Sequence, residues 1–309
     1  MSENINRRTF VHHLGALAAA SALPLSTLAA SLPKKSKYKL GYASITWGGE
    51  FATALKEISA LGFKAIQISG STHNAFKDKP DALIALVQAS GLKVPISSGG
   101  NLRIEREAKM PAWDSVWAVA KLHSKLPGAK LLQVTNGSKP KDRKPTPEEL
   151  KELALQMNEL GRRTKGELDL DLVYHNHMNQ LGETPNEVDA ILQSCDPRYV
   201  SFLLDIAHYQ WGGGDPVKAL EQYKSLIKVI HLKDLAQVPG GEAKALQFVE
   251  LGQGNLDLAG IFAKMDSTGF RGWAIIEIDG VPKGSGRTPL QCAEICKKYL
   301  TEKLDLKIG

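Results

Sequence analysis

Four residues able to ligate a metal close four successive apolar runs of this chain: His175, Asp205, His231 and Glu277. Each alone has an ordinary structural role, since an Asp ending a strand often caps the next turn and a His in an apolar strand is often a satisfied core residue. Four in consecutive register point to one site. Two imidazoles and two carboxylates suit Mn²⁺ (favoured here), Zn²⁺, Co²⁺ or Fe²⁺ better than Ca²⁺ or Mg²⁺. Such a centre supports removal of a proton α to a ketone. Loss of a β-substituent then gives an elimination, and re-protonation elsewhere gives an isomerisation or epimerisation.

Groups that can move the proton lie beside these ligands. His208 stands three residues beyond Asp205, His177 two beyond His175, and Lys233 two beyond His231. His208, His177, Lys233 and Glu277 are therefore the acid/base candidates. Trp47 and Trp211, each expected on a loop after a strand, can stack on the ring of a substrate. Asn136, at another strand end, is a further substrate-binding candidate.

Elements that could gather these residues repeat along the chain. Short β-branched runs fall at 38–43, 65–68, 93–97, 130–135, 170–175, 200–205, 228–232 and 273–278. Helical patterns lie between them, at 51–61, 80–90, 111–126, 146–165, 185–193, 216–225, 256–268 and 289–300. Several open with a cap and a proline, as in Asp215-Pro216 and Thr184-Pro185. Eight strand–helix alternations predict a single α/β domain, a (β/α)8 TIM barrel over 31–309, with an open doubly wound sheet as the competing arrangement. In such barrels the C-terminal strand ends face a shared mouth, and neighbouring strands are about 5 Å apart. Ligands at four adjacent strand ends can therefore converge on one ion.

Three segments carry a family resemblance. They are Leu203-Leu204-Asp205-Ile206-Ala207-His208, Val229-Ile230-His231-Leu232-Lys233-Asp234, and Leu251-Gly252-Gln253-Gly254-Asn255-Leu256-Asp257. Together with Phe270-Arg271-Gly272-Trp273 running into Ile276-Glu277, they resemble the xylose-isomerase-like TIM barrels. That group includes the sugar phosphate isomerase/epimerase family, inosose dehydratases and endonuclease IV. The resemblance implies a metal-dependent carbohydrate enzyme, a small-molecule sugar substrate, a metal-binding Glu277 and a substrate-contacting His208. It is also compatible with a homo-oligomer. One position departs from the epimerase pattern. Epimerases of the group carry a Glu on the fifth strand that is both ligand and base, and His175 stands there instead. A metal-bound imidazole has its lone pair occupied and cannot take a proton. The His175-Asn176-His177 form resembles the dehydratases more, which favours a lyase or dehydratase acting on a keto-sugar, keto-glycoside or keto-cyclitol. An isomerase/epimerase is the alternative, and an exported, non-catalytic sugar-binding protein the second. On the second strand Gln67 stands where a glutamate would be a familiar partner, and it cannot titrate.

Residues 1–30 read as an export signal. Asn6-Arg7-Arg8-Thr9-Phe10-Val11 precedes an Ala-rich apolar run ending in small residues, a pattern that resembles a twin-arginine leader. Export to the periplasm is the expectation, with no stable membrane anchor after cleavage. The leader leaves about 280 residues, enough for a barrel that needs roughly 250. The 309 residues carry a formal net charge of +6, with a basic stretch at 139–144. No aromatic residues interleave with these charges, so a solvated surface is expected rather than a nucleic-acid site. A multi-zinc nuclease needs more imidazole ligands than eight histidines provide, two of them in the leader. Three cysteines, Cys195, Cys292 and Cys296, form no CxxC pair and are expected to be small buried side chains.

Overall fold

The computed structural model describes residues 34–35, 37–238 and 245–308. The leader expected at 1–30 lies outside them. Eight parallel strands close a barrel: β1 (Lys39–Ala43), β2 (Ala65–Ile68), β3 (Lys93–Leu102), β4 (Leu131–Asn136), β5 (Asp171–His175), β6 (Val200–Asp205), β7 (Ile227–Leu232) and β8 (Trp273–Ile276). Every strand run anticipated from the sequence is present, and β8 returns to pair with β1.

Side chains of a strand alternate between its two faces. The outward phase joins the helices in a large apolar layer that includes Tyr42, Ile66, Leu132, Tyr174, Phe202 and Ile230. The inward phase builds a separate small cluster of Ala43, Ile96, Leu131, Val173, Leu203, Val229 and Ile275. This is the apolar floor of the barrel. Gly41 makes room for it, since a Cβ there would stand 2.7 Å from the Ile275 side chain. Two residues further along the same strands the inward positions turn polar: Ser98, Gln133, His175, Asp205, His231 and Glu277, with Gln67 on β2. Period-two alternation alone thus stacks a polar ring on an apolar floor.

Ten helices join the strands among the described residues. They are α1 (Phe51–Ala60), α2 (Gly70–Ala75), α3 (Pro80–Ser90), α4 (Arg106–His123), α5 (Pro147–Leu168), α6 (Pro185–Ser194), α7 (Ile206–Trp211), α8 (Pro216–Gln222), α9 (Leu258–Ser267) and α10 (Pro289–Lys298). Their starts follow local chemistry. Thr146 with Glu149 and Thr288 with Gln291 form capping boxes, each with proline at the first turn, and Asp215 caps α8. Thr184 precedes Pro185 without a side-chain cap bond. One start differs from the sequence expectation. Helix α4 begins at Arg106, and Pro111 lies inside it rather than at its first turn. Its missing N–H forgoes the bond to the carbonyl four residues back. The short α2 and α7, and an antiparallel hairpin of Asp234–Gln237 with Leu246–Val249, were not anticipated. All three cysteines are free thiols, with Cys292 and Cys296 buried.

Candidate metal centre

The four expected ligands meet. One ligand atom from each of His175, Asp205, His231 and Glu277 lies within 4.8 Å of all the others, and all four residues are buried. Asp205 and His231 are direct register partners across β6 and β7. Glu277 follows β8, its N–H bonded to the Leu232 carbonyl at 3.1 Å.

Local structure divides the Asp205 carboxylate into two functions. Oδ1 caps α7, accepting from the Ala207 and His208 amides at 3.0 and 2.9 Å. Oδ2 faces the cluster, 3.4 Å from His175 Nε2, 3.5 Å from His231 Nδ1 and 3.2 Å from Lys233 Nζ. Asn176 holds this strand end: its Oδ1 accepts from the Asp205 amide at 2.9 Å and its Nδ2 donates to the Asp205 carbonyl at 3.2 Å. The middle residue of the His-Asn-His motif is thus a clamp between β5 and β6, a role its sequence position did not disclose.

His231 Nδ1 and Glu277 Oε2 test whether the donor set fits a metal. They lie 2.6 Å apart and are buried, yet neither makes a hydrogen bond of good geometry among the described residues. An imidazole nitrogen and a carboxylate oxygen aimed into one space, with a second imidazole and a second carboxylate beside them, fit a divalent cation once the nitrogen gives up its proton.

The outward edges of both imidazoles are bridged. His231 Nε2 donates to Gln67 Oε1 at 2.9 Å, Gln67 Nε2 donates to Gln133 Oε1 at 2.8 Å, and Gln133 Nε2 donates to His175 Nδ1 at 2.8 Å. Gln67 carries no charge, as expected, but it is structurally engaged. Gln133 was not singled out from the sequence, although its position, two residues above Leu131 on an inward phase, was the available signal.

Charge is concentrated one layer higher. Lys233 Nζ is fully buried, 3.1 Å from Glu277 Oε2, 2.7 Å from Asp279 Oδ1 and 3.2 Å from His208 Nε2. Burial disfavours its charge, but Asp205, Asp279 and Glu277 outweigh that and hold the ammonium above its ordinary range. Without an ion bound, Lys233 is therefore held as a cation by its carboxylate neighbours. Burial also opposes charge on His231, yet Glu277 and then Asp205 push the imidazole up to about 9. For His175 burial prevails and moves it down to about 4. Glu277 and Asp205 pay a burial penalty but are held well below the usual carboxylate range, Glu277 chiefly by His231 and Lys233, Asp205 chiefly by Lys233 and His208. His208 is kept neutral by burial first, with Lys233 and His177 adding to it against Asp205.

His177 and His208 reach the same site, their ring centroids 3.9 Å apart. His177 Nδ1 donates to the Met178 carbonyl at 2.8 Å, which leaves the lone pair on Nε2. Phe248, on the unanticipated hairpin, forms one wall: its ring lies 4.8 Å from both the His208 ring and Lys233 Nζ, and 6.4 Å from the half-buried Trp211.

Two expected substrate contacts are placed elsewhere. Trp47 is buried in the outer core, edge-on to Tyr42, with Nε1 donating to Glu57 at 2.6 Å. No ring face is left for a sugar, so its role is packing. Asn136 is buried and its Nδ2 donates to the Leu181 carbonyl at 2.7 Å, pinning the loop after β5. The basic stretch at 139–144 lines a separate cavity of about 790 Å³. There Lys139 pairs with Glu183 and Arg143 with Glu149, so part of its charge is already neutralised.

Comparison with known proteins bears on the family and the fold. The family model described as xylose isomerase-like TIM barrel matches residues 55–293. An inosose dehydratase of Clostridium tetani is 33% identical over 169 residues, 51% of this chain and 56% of that protein. The match therefore spans only about half of that relative's length. An inosose dehydratase of Geobacillus kaustophilus is 27% identical over 296 residues, 85% of this chain and 94% of that protein. Among solved structures, the IOLI protein with a bound zinc atom superposes with a TM-score of 0.69 at 18% identity, covering 85% of this chain and 97% of that one.

Proposed function

The chain belongs to the xylose isomerase-like TIM barrel family, and on that premise we propose that it is a metal-dependent lyase or dehydratase acting on a keto-sugar, keto-glycoside or keto-cyclitol. The observation that carries the proposal is the buried His175, Asp205, His231 and Glu277 cluster, with one ligand atom of each within 4.8 Å of all the others. The inosose dehydratase relatives support the reaction class, and the zinc in the IOLI protein supports the cation.

Residues of the cluster would hold the ion, which supplies Lewis acidity toward a carbonyl oxygen when bound. The remaining steps belong to the chain. His177, with its lone pair on Nε2, takes the proton α to the ketone. The fixed charge of Lys233 stabilises the negative charge that develops on substrate oxygen. The C–H electron pair becomes the new C=C bond, and the bond to the β-oxygen breaks with its electrons on that oxygen. The His177 imidazolium returns its proton there, so water or an alcohol leaves. His208, kept neutral by burial, accepts from the Met178 amide at Nδ1 and packs its other ring edge beside Lys233. Trp211 and Phe248 offer apolar surface at the rim for a ring.

The test is incubation of the full-length protein and Mn²⁺ with 2-keto-inositol and with 3-keto-glucosides. An α,β-unsaturated ketone absorbance is the expected product. Interconversion of sugars alone would replace this proposal with an isomerase or epimerase. Stoichiometric metal without turnover would leave a binding protein.

A further inference from the structure

The two glutamines that bridge the imidazoles limit what those imidazoles can do. A neutral imidazole has one N–H and one lone pair. To serve as a ligand it must turn its lone pair inward and therefore its N–H outward. For His231 the outward atom is Nε2, against Gln67; for His175 it is Nδ1, against Gln133. Were both to point N–H outward, both amides would have to present oxygen to them. The two NH₂ groups would then face each other across the 2.8 Å contact between Gln67 and Gln133, with no acceptor between. Each amide has one accepting end and one donating end, so the three bonds must all run in one direction. Turning both amides over reverses that direction and still admits only one outward N–H.

We propose that the Gln67–Gln133 bridge allows only one of the two imidazoles to ligate the ion, that this one is His231, and that His175 acts as a hydrogen-bond donor. The inference rests on the metal-dependent reading above and deepens it. The direction follows from the contacts. Gln67 Nε2 also reaches Ser98 Oγ at 3.4 Å, so both amide hydrogens have acceptors when its oxygen faces His231. His175 Nε2 then carries its hydrogen toward Asp205 Oδ2 at 3.4 Å. The ion would then be held by Asp205, His231 and Glu277, and the fifth strand would supply an N–H beside it. Gln67 and Gln133 are positioning residues, acting through the two imidazoles.

A carboxylate at position 133 releases the constraint, because it accepts from His175 and from Gln67 together. In calorimetric titrations of metal-free, full-length protein with Mn²⁺, Gln133→Glu is expected to bind about tenfold tighter than wild type, the scale on which groups behind metal ligands act. His175→Asn in the wild-type background should change the affinity by less than about threefold, and in the Gln133→Glu background it should remove the gain. A loss of about tenfold or more in the single His175→Asn variant would overturn the proposal. So would a gain in Gln133→Glu that survives loss of His175, since added charge alone would then explain it. Long-range ¹⁵N–¹H spectra of the histidine-labelled, metal-free wild type give a readout that needs no variant. His175 is expected with Nδ1 bare and Nε2 protonated, and the opposite tautomer would refute the assignment. If wild type binds no metal, the reading under Proposed function falls, whereas the spectrum still decides the direction of the bridge.

Discussion

Proton release on metal binding follows from the charge state of His231. Its lone pair at Nδ1 must be free to ligate, yet Glu277 and Asp205 push the metal-free imidazole up to about 9. At each pH below that value the apparent affinity falls tenfold per unit, because the proton competes with the ion. Between pH 6 and pH 8 the Mn²⁺ affinity should rise by about 100-fold, or about 2.7 kcal/mol. Of the other groups facing Nδ1, His175 is at about 4 and stays neutral across this range, and Glu277 and Asp205 stay ionised, so none adds to the slope. Calorimetry in buffers of different ionisation enthalpy should count about one proton released per ion near pH 7. The metal-free protein should show the opposite trend in stability. A folded-state value above the ordinary one for histidine gives stability that is complete below about 6.5 and lost as the pH rises through 9, on the order of 3 kcal/mol. His175, His73 and His123, all depressed by burial, act the other way and cost stability as the pH falls below about 6.5. Metal-free stability should therefore peak near neutrality while metal affinity is still climbing. A flat affinity from pH 6 to 8 with no proton released would refute the charge assignment of His231.

Lys233→Met strips the buried cation from Asp205, Glu277 and Asp279. Chemical denaturation should show a loss of about 3–5 kcal/mol without metal and a smaller one with saturating Mn²⁺, whose charge replaces the ammonium; equal losses would contradict the electrostatic role. Trp47→Phe removes the bond to Glu57 and should cost about 1 kcal/mol of stability while leaving KM within twofold. A large rise in KM would restore the stacking role. The start Asn6–Val11 is proposed as a twin-arginine export signal, and fractionation of cells expressing Arg7→Lys with Arg8→Lys should find the protein retained in the cytoplasm. Unchanged export would exclude that route.

Strand ends were legible because a period of two leaves the same signature in sequence and in space. Leu203 and Asp205, or Val229 and His231, differ by two positions and so share the inward face, apolar below and polar above. The ligand set could thus be written down before any contact was known. Lys233 follows the same rule, but its charge state does not. Its charge is fixed by Asp205, Glu277 and Asp279, which reach it from other strand ends, and no local pattern carries that sum. Trp47 misled because an aromatic residue after a strand reads equally as rim or as core, and only packing on Tyr42 decides. The hairpin carrying Phe248 escaped notice for a related reason. Its strands of four residues are too short for periodicity to separate them from a loop. Gln67 and Gln133 show no type-specific signature at all, since an amide gains its meaning from the partners at its two ends.

The apolar floor beneath the polar ring also has a kinetic consequence. Ala43, Ile96, Leu131, Val173, Leu203, Val229 and Ile275 pack beneath the ring, so among the described residues it opens toward the mouth. His177 and Lys233 stand above it on that same path. An ion and a sugar of the kind proposed would then share one doorway, with the seat of the ion deeper. On the function proposed above, addition would be ordered: the cation would enter first and leave last, and a bound substrate would slow its exchange. The barrel works as a blind well rather than a through-channel, and the sequence of arrivals is set by depth.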